Sequence, residues 1–375
     1  MAMSTGERRR LRGDGIPCYK VNAFTSQPFK GNPAVVCMLC HATGDVTEPG
    51  TLLLSGRNAG QITTILQEVA SELSTVETVF VFPPTRPKTD FHVRFFSRNK
   101  ETAFCGHALL AAAHILTTSY GDTRDEFLFT CENGAVANIR RRRRNVSEYV
   151  LVLRPSAVVV HDVERPTSKS VPAAVTSAPA AGALLTAPVP LFSVDKLRPY
   201  VDALGLETFD VAHVLTHVHS SNIILVLKSV AAVIRAKPNK DQLLALRDDF
   251  LKVTITAVPN LRPREGRDKA TPIPVGDDDD ERLQKYDFVS RLFAPKIGIL
   301  EDAVSGASHA LLARYWTTAA RQGAANATLR ALQPSPRGGE LAIDVRGQTV
   351  YVAGEAVTVA TGLLGDFWRS RVAKL

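Results

Sequence analysis

The stretches Glu101-Thr102-Ala103-Phe104-Cys105-Gly106 and Glu301-Asp302-Ala303-Val304-Ser305-Gly306 are two copies of one motif, Glu-x-Ala-x-x-Gly, in the two halves of the chain. Each copy follows an apolar stretch that contains a phenylalanine, Phe96 or Phe293, and each runs into Ala-Leu-Leu-Ala. This pattern predicts a strand, a turn of small residues and a helix start, twice. Two similar halves that face each other would place two helix N-termini around one cleft, and helix N-termini bind anions.

The flanking sequence predicts the same order of elements in both halves, with a final hairpin turning at Arg346-Gly347-Gln348. We expect an N-terminal half over residues 17–154 and a C-terminal half over 191–375. Residues 1–16 are polar and rich in arginine, which predicts a disordered tail. Residues 155–190 are rich in Ala and Pro and predict a flexible linker insertion. A charged surface insertion is expected at 260–285, inside the second half.

Composition bounds the class of protein. The 375 residues are 45% hydrophobic, which is typical of a globular protein with a sizeable core. No apolar run reaches the roughly 18 residues that span a bilayer, and the N-terminus lacks the apolar stretch of a secretory signal. The odd number of cysteines, five, favours a reducing compartment, so we expect a cytoplasmic protein. Cys37-x-x-Cys40 has no second CxxC and is interpreted as structural rather than as a zinc or redox half-site.

The net charge of +8 owes much to an unbroken arginine run at 140–144, between two predicted strands. The run is interpreted as a hairpin tip. Nucleic-acid recognition would require interleaved aromatic residues or a known module, so no specific nucleic-acid partner is expected. A solvated loop and an incidental polyanion-binding patch both stay open.

Four ordered motifs resemble the signatures of the PhzF, or phenazine-biosynthesis-like, family. They are Phe24-Thr25-x-x-Pro28-Phe29-x-Gly31-Asn32-Pro33-Ala34, then Cys105-Gly106-His107-Ala108-Leu109, then Phe293-Ala294-Pro295 with Glu301-Asp302, and Arg337-Gly338-Gly339. The resemblance implies an α+β, diaminopimelate epimerase-like fold. Such a fold has two pseudo-symmetric halves, each a curved sheet or barrel around a central helix, with the active site between them. It also implies a homodimer.

The resemblance implies that Glu77 transfers the proton, and a single base that removes and returns a proton suits an isomerase. Two residues are inserted before Glu77 relative to the family's Leu-Ser-Glu-Thr, which leaves Glu72 as the fallback. His107 is expected to bind or polarise the substrate, and Asp302 to hydrogen-bond it from the opposite side.

The expected substrate is a small molecule that bears a carboxylate. The residues expected to bind it are Asn32, Gly106, Ser305, Gly306 and Arg337. Ser305 keeps a hydroxyl of the family pattern, whereas Ala307 loses one. Glu101 and Glu301 are expected to brace the two turns rather than react. His114 is interpreted as structural, and His309 as structural or supporting the site.

Two alternatives stay open. The repeat aligns Cys105 with Ser305. The pKa of a serine is too high for it to serve as the second base, which disfavours a two-thiol racemase. A racemase or dehydratase that depends on Cys105 remains an alternative, as does a non-catalytic scaffold or binding protein. The sequence has no Gly-rich phosphate loop and no paired metal-ligand spacing, so we expect chemistry without cofactor or metal.

Overall fold

The structure is a computed structural model that describes residues 15–41, 56, 58–73, 77–142, 147–155, 158–163, 192–217, 221–247, 250–259, 282–320 and 326–365. The tail predicted at 1–16, the linker at 155–190 and the insertion at 260–285 lie wholly or largely outside these residues. The chain divides into two compact units, Met1–Leu153 with Val352–Leu375 and Arg154–Tyr351. The cleft predicted between the halves stays a prediction.

The first unit is a mixed sheet with two helices among its described residues. Its elements are β1 (Ile16–Ala23), β2 (Asn32–Met38), α1 (Ala59–Leu73), β3 (Glu77–Phe82), β4 (Phe91–Phe96), β5 (Glu101–Thr102), α2 (Gly106–Thr118), β6 (Glu126–Cys131), β7 (Val136–Arg141) and β8 (Glu148–Leu153). Strand β2 runs parallel to β3, and β4 runs parallel to β6, whereas β1–β2, β3–β4 and β6–β7 are antiparallel.

The strands of this unit separate two apolar layers. Cys37 and Phe80 belong to a core cluster beneath α1. Because strand side chains alternate, their neighbours Val36 and Val79 face the other way, toward α2, which packs on β1, β2 and β3. Helix α2 is buried along most of its length, as its run of alanines and leucines predicts.

The second unit contains β9 (Val158–Asp162), α3 (Val194–Leu204), β10 (Val211–His217), β11 (Asn222–Leu227), α4 (Val230–Arg235), α5 (Lys240–Ala245), β12 (Lys252–Ala257), β13 (Phe288–Ala294), β14 (Ile299–Asp302), α6 (Gly306–Ala320), β15 (Asn326–Gln333), β16 (Gly339–Arg346) and β17 (Thr349–Leu364). Strand β17 continues past Tyr351 into the first unit, where it pairs with β1. A turn at residues 347–348 joins β16 to β17, at the predicted site.

Both units run through one order of elements. An antiparallel pair is followed by a parallel partner, an antiparallel strand, a short strand, a buried helix and a parallel return strand. The α+β class and the duplication predicted from the sequence are therefore confirmed. No helix in the described part of the chain is long and apolar enough to cross a membrane.

An arginine braces the turn motif in each unit. Arg94 on β4 holds Glu101 with two hydrogen bonds of 2.8 Å, and Arg291 on β13 holds Glu301 with bonds of 2.7 and 2.9 Å. Arg94 also donates to the hydroxyl of Thr63 on α1 at 2.6 Å. Arg291 likewise donates to carbonyls at the end of α4, at 2.7 to 3.3 Å. Each brace therefore ties an outer helix to the turn before the central helix.

A buried histidine anchors each central helix. In α2, His114 Nε2 lies 3.0 Å from Thr358 Oγ1 of β17. In α6, His309 Nδ1 donates to the carbonyl of Ser305 at 2.7 Å, and Nε2 accepts from the hydroxyl of Ser290 at 3.2 Å. Burial lowers the pKa of both imidazoles to about 4, so both are neutral near pH 7.

All five cysteines are free thiols. Cys37 and Cys40 contact different partners rather than forming a zinc or redox pair. Cys37 instead lies opposite Cys18 on the paired strand, with the two sulfurs 3.2 Å apart. Cys40 donates to the carbonyl of Val81 at 3.6 Å, and burial raises its pKa to about 12. These contacts support the structural interpretation.

The described arginines of the run lie on or just after β7. Arg140 pairs with Glu126 at 3.1 Å and Arg142 with Glu148 at 2.9 Å, in exposed positions. Residues 143–146 lie outside the described part. These two ion pairs involve two of the five arginines, and the solvated loop and the polyanion-binding patch both stay predictions.

Replacing Arg291 with methionine leaves the Glu301 carboxylate without its main partner, at a side chain that is 11% exposed. We expect the free energy of unfolding to fall by about 3–5 kcal/mol in chemical denaturation. The double variant Arg291→Met/Glu301→Gln should regain part of that loss. The matched control is Arg330→Met, a side chain 57% exposed and 3.7 Å from Glu340, which should change stability by less than about 1 kcal/mol. Equal losses for Arg291 and Arg330 would show that the brace is not structural.

Acid should weaken the fold through His309. The unfolded imidazole takes up a proton near pH 6.5 and the folded one only near pH 4, so the unfolded state binds more protons between these values. The stability contributed by neutral His309 is fully present above pH 6.5, and the free energy of unfolding should fall by about 3 kcal/mol by pH 4. Chemical denaturation of His309→Asn across this range should show a shallower decline than the native protein.

Candidate active site

The first unit brings four of the predicted site residues to one end of its inner layer. Asn32 begins β2, Glu77 begins β3, and Gly106 and His107 begin α2. Strands β2 and β3 are parallel with Ala34 opposite Glu77, so Asn32 and Glu77 lie on the same face. Helix α2 packs on that face.

The loop before β2 fixes where Asn32 lies. Gly31 has a φ of +65°, and a Cβ there would come within 2.2 Å of the carbonyl oxygen of Ala23. Only glycine allows this close return of the chain. Thr25 closes the same loop by accepting a hydrogen bond from the amide of Gln27 at 3.0 Å.

His107 is held by its neighbours through Nδ1. The side-chain amide nitrogen of Asn32 and the sulfur of Cys105 each lie 3.3 Å from this atom. An amide nitrogen can only donate, so Nδ1 accepts and the proton of the neutral ring resides on Nε2. Nε2, which lies 3.7 Å from the same sulfur, is then the donor atom of the ring.

Glu77 is a buried carboxylic side chain at the start of β3, only 9% exposed. The hydroxyl of Thr102 on β5 donates to its Oε1. Glu72, the alternative carboxylate, lies exposed on α1. Only Glu77 therefore lies in the inner layer, where burial suits a group that exchanges protons.

Gly106 is also constrained by packing. A Cβ at this position would lie 2.7 Å from the end of the Leu151 side chain. Cys105 precedes it as the N-cap residue of α2, in an extended conformation. The main chain of this turn therefore approaches β8 closely.

In the second unit, the turn that carries Asp302 and Ser305 is clamped from β15. The fully buried side chain of Gln333 accepts from the amide of Ser305 at 3.0 Å and donates to the carbonyl of Asp302 at 2.6 Å. Ser335 donates to the carbonyl of Ala303 at 2.7 Å. The Ser305 hydroxyl donates to that of the buried Ser308 at 3.2 Å, whereas Ala307 is exposed.

Gly306 starts α6, and Arg337 lies half-buried in the loop after β15. Burial lowers the pKa of the Arg337 guanidinium, which stays charged near neutrality. The following Gly338 has a φ of +68°, as the sequence Gly338-Gly339 favours.

Sequence reasoning missed several residues that build these turns: Arg94, Thr102, Arg291 and Gln333. The two arginines and Gln333 do carry a signal, because each is a polar residue in the inward or buried phase of an otherwise apolar strand pattern. Thr102 carries none, because a threonine beside a turn is common in any protein.

The described residues offer acid–base groups rather than a metal centre. Among them, no group of three or more His, Cys, Asp and Glu side chains could hold a metal ion. A buried carboxylate and a neutral imidazole in one layer can, respectively, remove a proton and donate a hydrogen bond to the resulting anion.

Comparison with known proteins matches the chain to one family. A family model described as phenazine biosynthesis-like protein matches residues 21–362. A Pseudomonas aeruginosa protein described as an uncharacterized isomerase is 30% identical over 344 residues, which are 92% of this chain and 96% of that protein.

Solved structures give the same result. The crystal structure of a PhzF-family phenazine biosynthesis protein from Enterococcus faecalis is 25% identical, with a TM-score of 0.63 over 94% of this chain and 99% of its own. A predicted epimerase from Pseudomonas aeruginosa, at 17% identity, shares the fold with a TM-score of 0.58 over 93% of this chain and 99% of its own. The epimerase-like fold expected from the sequence is confirmed.

Proposed function

Because the chain belongs to the phenazine biosynthesis-like family, we propose that it is an isomerase that moves a proton on a small substrate bearing a carboxylate. The isomerase description of the Pseudomonas aeruginosa relative supports the reaction class. The observation that carries the proposal is the buried Glu77, on the inner face where α2 packs and where His107 begins that helix.

In the proposed reaction Glu77 acts as the base. Its carboxylate takes a proton from one carbon of the substrate and returns it to another, so the side chain ends in the state in which it began. Burial disfavours the charged form of a carboxylate. A general base is most effective when its pKa lies near the operating pH, so a buried carboxylate suits this role. The proposal needs no cofactor, because the proton is stored on the side chain.

His107 is proposed to stabilise the intermediate anion. The contact with the Asn32 amide fixes the proton on Nε2, and a donor at that atom would hydrogen-bond an oxygen on which negative charge develops. The ring stays neutral in this role, so it donates a hydrogen bond without a prior protonation step.

The second unit is proposed to supply groups that bind the substrate. The amides at the start of α6, with Ser305 and Gly306, suit a carboxylate because a helix N-terminus favours negative charge. Asp302 would accept from an amine or hydroxyl, and Arg337 would pair with an acidic group. Gln333 and Ser335 hold this turn by its backbone, which is compatible with a preformed binding site.

One observation favours a second candidate. The sulfur of Cys105 lies 3.3 Å from Nδ1 of His107, at the start of a helix, and such surroundings activate thiols. A racemase or dehydratase that uses Cys105 as its base would draw on this contact. The two candidates differ in whether Glu77 or Cys105 exchanges the proton.

Solvent-deuterium exchange separates them. Small amino and hydroxy acids are incubated with the protein in deuterium oxide, and mass spectrometry records the label. We expect Glu77→Gln to slow labelling by about 10²–10⁴-fold, because it removes the base while keeping the shape of the side chain. Glu72→Gln, on the exposed face of α1, should label at the native rate.

Cys105→Ser should retain labelling to within a few-fold of the native rate. If Glu77→Gln labels the substrate at the native rate and Cys105→Ser does not label it, the thiol mechanism is correct and the carboxylate mechanism is wrong. A panel that is never labelled by the native protein, while one of its members binds in calorimetry, would favour a binding protein.

A further inference from the structure

We propose that Thr102 is a positioning residue that orients the Glu77 carboxylate for proton transfer. The inference rests on the proposed role of Glu77. The observation behind the inference is the hydrogen bond that the Thr102 hydroxyl on β5 donates to Oε1 of Glu77, the first residue of β3.

The backbone of Thr102 is fixed by its register. Strand β5 pairs with β4 so that Thr102 lies opposite Phe95 and Glu101 lies opposite Phe96. Neighbouring residues on a strand point to opposite faces. Glu101 meets Arg94 on one face, and Thr102 therefore reaches Glu77 on the other.

The brace makes this hydroxyl rigid. Arg94 holds both oxygens of Glu101 at 2.8 Å and reaches Thr63 on α1. A two-residue strand could otherwise fray, because it makes few ladder bonds. With Glu101 clamped, the adjacent Thr102 presents its hydroxyl from a fixed point, which is what an orienting group requires.

The hydrogen bond does two things to the carboxylate. It limits rotation about the last bond of the side chain, so fewer orientations compete with the reactive one. It also favours the charged form, because a hydroxyl donates more strongly to a carboxylate than to a carboxylic acid. Burial acts in the opposite direction, and the two effects together set how readily Glu77 takes up a proton.

The second unit shows that the fold does not require this pair. Registers of β12–β13 and β13–β14 make Lys252 the equivalent of Glu77 and Asp302 the equivalent of Thr102. The same turn and the same arginine brace form there with different side chains. A pair needed only for folding would be expected in both units, so the Glu77–Thr102 pair points to a use specific to the first unit.

The test compares Thr102→Val, which removes the hydroxyl at constant shape, with Thr102→Ser, which keeps it. We expect Thr102→Val to lower the kcat for exchange of a labelled panel acid by about tenfold or more, with KM changed by less than about twofold. Thr102→Ser should recover most of the rate. The matched control is Thr328→Val, which removes an exposed threonine–carboxylate bond of 2.6 Å to Asp344 and should leave the rate unchanged.

A second readout needs no substrate. Carbon-13 NMR of glutamate-labelled protein follows the Glu77 carboxyl, which is assigned by its loss in Glu77→Gln. Its titration midpoint should rise by about one pH unit in Thr102→Val and return in Thr102→Ser. Ionisable groups on the neighbouring elements are His107 on α2, its N-cap Cys105 and, on the opposite face, Arg94 and Glu101.

The outcomes separate this inference from the proposed function. A native exchange rate and a native Glu77 titration in Thr102→Val would overturn the role of Thr102, even where Glu77→Gln abolishes exchange. Exchange at the native rate in Glu77→Gln would overturn the proposed function. A shifted Glu77 titration in Thr102→Val would then show that the Thr102–Glu77 hydrogen bond has a structural role only. If Thr102→Val does not fold, Thr102→Ala, which leaves no added bulk, carries the same expectations.

Discussion

Each unit depends on one arginine that reaches in two directions. The guanidinium of Arg94 or Arg291 holds a glutamate on the turn with two bonds and reaches a helix on the outer layer with a third. A planar guanidinium fork holds a carboxylate through two parallel hydrogen bonds in its own plane. The brace therefore fixes the turn that precedes the central helix in the chain, and this turn determines where the helix N-terminus lies.

The brace also determines which side chain faces the inner layer. In a short strand the residue after an outward glutamate must point inward. Thr102 follows Glu101, and Asp302 follows Glu301, so a single step along the chain separates the residue that holds the scaffold from the residue available for chemistry. The repeated glutamates can be the same in both units while the next residues diverge.

The sequence predicts as much of this as local spacing can carry. The Glu-x-Ala-x-x-Gly repeat, the helices after it and the fold follow from short motifs. The arginine partners do not, because Arg94 lies seven residues before its glutamate and Arg291 ten before its own, so no single spacing finds both. The burial of Glu77 depends on the register of β2 with β3, and the clamp from Gln333 depends on a strand that returns after a whole helix.

The difference between the units is then the most informative feature of the candidate site. At equivalent positions the first unit has a carboxylate and a hydroxyl, Glu77 and Thr102, and the second has an amine and a carboxylate, Lys252 and Asp302. A racemase with two bases needs a proton-transferring group on each face of one carbon, and the Glu77–Thr102 pair is not repeated in the second unit. A reaction that moves a proton between two carbons needs one base and a different set of groups that hold the substrate still. The divergence at these two positions supports the proposed reaction with a single base.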